Sequence, residues 1–366
     1  MPDPRVTKMA KVLVKYSLDL QPGQEIILGT SPLAEELSLA VYKEAVLAGA
    51  HIFVINDLPG SEEIFFKHAS DAQLDYVDPI AKFAMERFAA LLQIMAPYNT
   101  RELSGIDPAR QSRTRKAKAE IARIRLERTA RKEFKWCITL YPTHALAQEA
   151  DMSLSEYQDF VYTACLLDLP DPVAAWKKTG KRQSKLVDWL AGKDQVVMKG
   201  SNVDIRLSIK DRVFVNCDGK FNFPDGEIFT GPVEQSVDGW VRFSYPGIYG
   251  GREVEDIELW FEEGKVVREQ AAKGQELLTG LLDTDEGSRY LGEWGIGTNY
   301  GIQRFSKNML FDEKMGGTIH FAVGRGIPDT GSQNQSAIHW DMLCDMSESE
   351  IAVDGELFYK DGQFAV

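Results

Sequence analysis

The sequence predicts an α/β N-terminal domain with an open, mostly parallel sheet, followed by an α+β, largely antiparallel C-terminal domain that holds the candidate metal ligands. Three observations carry this. At 366 residues the chain is too long for one ordinary core. Its first half alternates short β-branched runs with helical stretches, the pattern of strands joined by crossover helices. From Val196 onward that pattern gives way to closely spaced alternating runs.

Strands are expected at Glu25-Ile26-Ile27-Leu28, His51-Ile52-Phe53-Val54-Ile55, Ala90-Leu91-Leu92-Gln93-Ile94 and Trp136-Cys137-Ile138-Thr139-Leu140. The clearest helix runs from about Pro32 to Ala48. Ser31 can cap it, Pro32 fits its first turn, Leu33, Leu37 and Val41 share a face, and Gly49 can end it. Basic residues crowd the stretch Arg110 to Lys132, where Ile121, Ile124 and Leu126 leave one narrow apolar stripe, so an exposed helix is expected. A second helical region, Ser153 to Trp189, is interrupted at Pro170-Asp171-Pro172 and ends near Gly192. The domain boundary is placed there, giving residues 1–192 and 193–366. Beyond it, strands are expected at Val203–Leu207, Val213–Val215, Trp240–Phe243 and Ile257–Phe261, with turns such as Glu263-Gly264-Lys265 between them.

The bulk chemistry excludes several classes. A net charge of -13 repels a polyanion, and the basic stretch lacks interleaved aromatics to stack bases, so no nucleic acid is expected as partner. No apolar run is long enough to cross a bilayer, and the N-terminus lacks a secretory pattern, so a cytoplasmic location without membrane attachment is expected. Cys137, Cys165, Cys217 and Cys344 have no paired spacing and read as small apolar side chains. No GxSxG elbow, phosphate loop or HExxH helix occurs, and Gly292-Glu293-Trp294-Gly295-Ile296-Gly297 lacks the strand-turn-helix setting of a dinucleotide site.

What remains points to metal chemistry. Of five histidines, His339 lies in Ser336-Ala337-Ile338-His339-Trp340-Asp341-Met342. As a strand, this segment sends His339 and Asp341 to one face and Ile338, Trp340 and Met342 to the other. An imidazole beside a carboxylate suits a divalent ion, although a plain His-Asp hydrogen bond fits the tripeptide equally. His320 stands on a second expected strand, and the turn-rich segment Gly324 to Asn334 joins the two. Glu227 and Glu293 are carboxylates among apolar and glycine neighbours, a costly burial unless a cation compensates it.

Together with Leu20-Gln21-Pro22-Gly23-Gln24, Tyr141-Pro142-Thr143, Glu227-Ile228-Phe229-Thr230, Leu291-Gly292-Glu293 and Ile319–Gly324, these segments resemble the thermophilic metallo-aminopeptidase family, of the aminopeptidase T and aminopeptidase S type. The resemblance implies two divalent ions (zinc, cobalt or manganese) held by Glu227, Glu293, His320, His339 and Asp341. It also implies a peptide substrate with a free N-terminus and a homodimer. In the mechanism it implies, the ions activate a water and Glu293 carries a proton from it to the leaving amine. Two positions depart from the pattern: Ile327 stands where many members have a tyrosine, and Gly226 where the residue before the glutamate is often acidic. Arg325 and Tyr300 are the candidates for the missing hydroxyl's role. Two rival readings stand beside this one. A 2,5-dihydroxypyridine ring-cleaving dioxygenase would need only one iron(II) on His320, His339 and Asp341, a scheme that leaves both glutamates unexplained. A non-catalytic metal-binding relative would explain the missing tyrosine.

Overall fold

The computed structural model describes residues 3–366, which fall into two compact units. The first comprises the chain up to Ala175 together with Gly219–Pro224, the second Trp176–Asp218 together with Asp225–Val366.

The first unit is built on a five-stranded, wholly parallel sheet in the order His51–Asn56, Glu25–Thr30, Ala90–Met95, Lys135–Leu140, Asn222–Phe223. Its inner strands read as apolar runs because helices cover them: Ile26, Leu28, Leu92 and Ile94 are buried. All four expected strands form, and a fifth short one arrives from far along the chain. Ser31 caps as expected, its hydroxyl accepting from the Leu33 amide at 3.2 Å. A short 3₁₀ turn, Pro32–Ala34, then precedes the α-helix Glu35–Leu47. Gly49 follows with φ at 79°, a left-handed backbone that favours glycine.

The basic stretch forms two helices, Pro108–Ala117 and Ala119–Ala130, where one was expected. Each half follows its own anchor. Arg110 donates to the Phe66 carbonyl at 2.7 Å, and Arg128 donates to those of Met85 and Phe88 at 2.6 and 2.8 Å. These cations are spent on the C-terminal ends of helices in their own unit. Farther on, the capping box Ser153/Glu156 starts the helix Leu154–Ala164, and Pro172 opens the helix Pro172–Leu190 after the expected interruption.

Besides a two-stranded ribbon, Gly247–Tyr249 with Arg252–Val254, the second unit contains two large antiparallel sheets. The larger has the order Lys265–Gln270, Glu258–Glu262, Asp238–Arg242, Val203–Ser208, Gln195–Gly200, Ser349–Val353, Glu356–Lys360, Gln363–Phe364. The smaller has the order His339–Asp345, Thr318–Gly324, Leu291–Gly297, Glu227–Thr230, Val215–Cys217. Both feed one core, with Val196, Met198 and Ile205 from the larger sheet and Trp294, Phe321 and Trp340 from the smaller. Each such burial stabilises the unit by roughly 1.5–3 kcal/mol. The strand expected from Val213 begins at Val215, because the Val213 amide bonds the Thr330 carbonyl at 3.0 Å instead of a sheet neighbour. Among the described residues no helix is long and apolar enough to cross a membrane.

Candidate metal centre

The smaller sheet positions the candidate ligands through its register. Gly295 lies opposite His320 and Phe229, Ala322 opposite Glu293 and Asp341, Gly324 opposite His339, and Gly297 opposite Glu227. Cross-strand partners share a face and successive residues alternate. Glu227, Glu293, His320, His339 and Asp341 therefore all project from one face, while Trp294, Ile296, Phe321, Trp340 and Met342 project from the other into the core. The spaces between the five are paved with Gly295, Gly297, Ala322 and Gly324, which leave room above the backbone. At Gly295 a Cβ would come within 2.0 Å of the His320 ring, so the imidazole lies directly over that glycine.

The side chains converge. His320 Nε2 is 3.2 Å from Glu293 Oε1 and 3.5 Å from Glu227 Oε2, and His339 Nε2 is 3.6 Å from both Glu293 Oε2 and Asp341 Oδ1. Glu293 thus spans both imidazoles. The His339 Nδ1–H donates to the Arg325 carbonyl at 2.7 Å, which fixes the ring and turns Nε2 toward the carboxylates. Burial pushes the carboxyls of Glu227 and Glu293 up, against the pull of Lys314 on the first and of His320 on the second. For Asp341, burial is outweighed by the charge and hydrogen bond of His339 together with the charges of His320 and Lys314, and its carboxyl stays below the usual range. Burial disfavours the imidazolium of His320, yet the bond to Glu293 and the charges of Glu227 and Asp341 raise it to about 9.

Several residues that sequence reasoning missed complete the surroundings. Lys314 is wholly buried, with Nζ 3.7 Å from Glu227 Oε1 and in contact with Glu313. Gln183, also buried, donates from its amide to Asn216 Oδ1 and to the carbonyls of Cys217 and Glu227 at 2.7 to 2.9 Å, tying the helix Pro172–Leu190 to the Glu227 strand. In Asp312-Glu313-Lys314 the only signal was a charged triplet, which usually marks a solvated turn, and an isolated helix glutamine carries none. Cys217 differs from a purely apolar cysteine, since it lies with Asp225 and Glu227 in one cluster of possible ligand atoms. Gly226, the departure before Glu227, has φ at 120°, and a Cβ there would lie 2.7 Å from that of Asn299, so no acidic side chain fits.

The structure thus brings together all five candidate ligands. It does not bring Tyr300 to them by its hydroxyl, which donates to the Gly362 carbonyl at 2.9 Å. Arg325 presents its carbonyl to His339 while its side chain is exposed. Ile327 is half-buried and leads into the 3₁₀ turn Pro328–Thr330.

A divalent cation fits this arrangement. Ligand atoms of Glu227, Glu293 and His320 all lie within 4.8 Å of one another, and Glu227 Oε2 is buried without a hydrogen-bond partner. Imidazole nitrogens and carboxylate oxygens are the donors that zinc, cobalt and manganese accept.

Comparisons with known proteins agree with this chemistry. The aminopeptidase 2 of Geobacillus stearothermophilus is 28% identical over 97% of this chain and 94% of its own length. The aminopeptidase T of Thermus thermophilus is 27% identical over 97% of this chain and 95% of its own. The solved structure of wild-type AmpT from Thermus thermophilus, 23% identical, superposes with a TM-score of 0.85 and covers 99% of each chain, which establishes the two-part fold. The family model for thermophilic metalloprotease (M29) matches residues 3–364. The chain belongs to the thermophilic metalloprotease family.

Proposed function

We propose that this chain is a metal-dependent aminopeptidase that removes the N-terminal residue of peptides with two divalent ions, held by Glu227, Glu293, His320, His339 and Asp341. The observation that carries the reading is the convergence of three carboxylates and two imidazoles on one glycine-paved sheet face. When bound, such ions lower the pKa of a water, polarise the scissile carbonyl and anchor a free amine. The chain's own groups supply the rest. Glu293 reaches toward both imidazoles, and burial raises its proton affinity, so it is the group to accept a proton from water and return it to the departing amine. The Arg325 carbonyl holds His339 in the ligating tautomer.

No phenol stands at position 327, so the donor to the developing oxyanion falls to Arg325, whose exposed side chain is free to meet substrate; Tyr300 is committed to Gly362. One such donor is typically worth on the order of 10²–10³ in rate. Arg325→Ala should lower kcat with KM little changed, and Ile327→Tyr, whose role Arg325 already fills, should do little. If neither changes kcat, the carbonyl needs no protein donor. The reading also has the enzyme as a cytoplasmic homodimer. Elemental analysis of reconstituted protein, followed by an amino-acid p-nitroanilide assay, tests the whole. About two zinc, cobalt or manganese ions per chain with hydrolysis are expected. One iron per chain with oxygen-dependent ring cleavage overturns it, as does tight metal binding without any turnover.

A further inference from the structure

The parallel sheet of the first unit ends on an unprotected edge. In such sheets strands are normally covered on both faces. The edge strand His51–Asn56 is not: Phe53, Val54 and Ile55 are 48%, 40% and 41% exposed, and Leu58 just beyond is 69% exposed. The helix Glu35–Leu47, which packs on this strand, adds exposed Leu39 and Leu47. No lysine, proline or bulge blunts the edge, although open edges usually carry such devices against pairing.

The hydrogen-bonding parity of the edge restricts what can cover it. The amides of His51 and Asp57 donate inward, to the carbonyls of Gln24 and Thr30 at 2.8 Å each. Alternation then turns the N–H and C=O groups of Ile52, Val54 and Asn56 outward. Antiparallel pairing of this strand with its own copy must set outward residues against outward residues. A two-fold axis at Val54 does so, placing Val54 against itself, Ile52 against Asn56 and Phe53 against Ile55. In this register the strand's two polar ends also match, because His51 of each copy faces Asp57 of the other. Imidazole meets carboxylate at both ends of an apolar centre.

We propose that the edge strand His51–Asn56 joins its counterpart in a second copy of this chain across a two-fold axis at Val54, making one continuous ten-stranded sheet. The proposal deepens the homodimer reading and rests on it, while the aminopeptidase reading is independent of it. Val54→Pro tests it in the metal-loaded full chain. The Val54 amide points away from the sheet, so proline costs the single chain no sheet bond but removes the central intermolecular pair. Sedimentation equilibrium should show the parent as a dimer and Val54→Pro with a dissociation constant raised roughly tenfold or more, at unchanged circular dichroism. Asp57→Lys, which opposes lysine to histidine, should also weaken the dimer, and the double change His51→Glu with Asp57→Lys should restore it. A dimer indifferent to all three variants overturns this interface and leaves the homodimer reading standing. A parent that is monomeric at every concentration overturns both. If Val54→Pro leaves the dimer intact and instead raises KM for long peptides only, the edge receives substrate and the proposal fails.

Discussion

Lys314 shows how far a single residue escapes a reading of the sequence. Its neighbours Asp312 and Glu313 make it look solvated, yet it is a fully buried ammonium beside Glu227 and Glu313. The attraction of those carboxylates overcomes the burial that would otherwise discharge it, and holds its pKa above the usual lysine range. It acts as an internal cation for the acidic face. Lys314→Met should destabilise metal-free protein by roughly 3–5 kcal/mol, since it leaves buried carboxylates uncompensated. Added zinc should then raise the melting temperature of the variant more than that of the parent. Equal melting of the two metal-free proteins would show that the ammonium compensates nothing. Asp312, two positions earlier, also shifts upward, but there the shift favours the neutral form. Burial pushes its carboxyl up to about 7, although Oδ1 accepts from the Ser306 amide and hydroxyl at 2.7 and 2.8 Å. A carboxyl raised in the folded state imposes no penalty below the unfolded pKa near 4, a growing one up to about 7, and a constant one above. Asp312→Asn keeps both Ser306 bonds and removes the penalty. Its advantage over the parent in urea melts should be absent at pH 4 and reach a few kcal/mol at most by pH 8. A gap that stays flat with pH would refute this.

At the scale of the element, periodicity was readable and pairing was not. The two-residue alternation in Ile338–Met342 is enough to separate His339 and Asp341 from the core side chains Trp340 and Met342, and the sheet keeps that separation. Nothing local tells that Glu227 lies opposite Gly297, or that His320 lies over Gly295, because register between distant strands is set by the assembled sheet. The helix break at Lys118 has no local signal either; it falls between two segments that Arg110 and Arg128 tie to separate carbonyls. The glycine paving gives the site its sharpest test. Gly295 has an ordinary backbone conformation, so Gly295→Ala adds one methyl and no strain of its own, but that methyl occupies the place of the His320 ring. The variant should fold, lose metal affinity by about 10–100-fold and lose activity in proportion. Unchanged affinity would mean that His320 is not a ligand. His339→Ala and Asp341→Ala should abolish activity while metal-free circular dichroism stays that of the parent. Unfolding of either variant in metal-free buffer would make the pair structural instead.

For the whole molecule, a ligand that binds only the folded chain stabilises it by mass action, about 2.7 kcal/mol at 100 times the dissociation constant. A chelator should therefore lower the unfolding temperature, and the loss should fall on the second unit, where all five candidate ligands lie. Hydrogen exchange with and without chelator would locate it, and protection lost in the first unit instead would place the ion elsewhere. The alternation of strand and helix made the first unit legible, but its fifth strand, two residues long, carries no pattern of its own. That strand has a temporal consequence. Thr139 bonds the Phe223 carbonyl at 2.6 Å and the Ile138 amide bonds that of Phe221 at 2.8 Å, so the first sheet cannot close until residue 224 has been synthesised. By then three strands of the second unit have already been synthesised. The growing chain must hold an open sheet edge through some eighty residues of further synthesis, from Leu140 to Pro224, and a protein released before that point presents Lys135–Leu140 to any neighbouring strand.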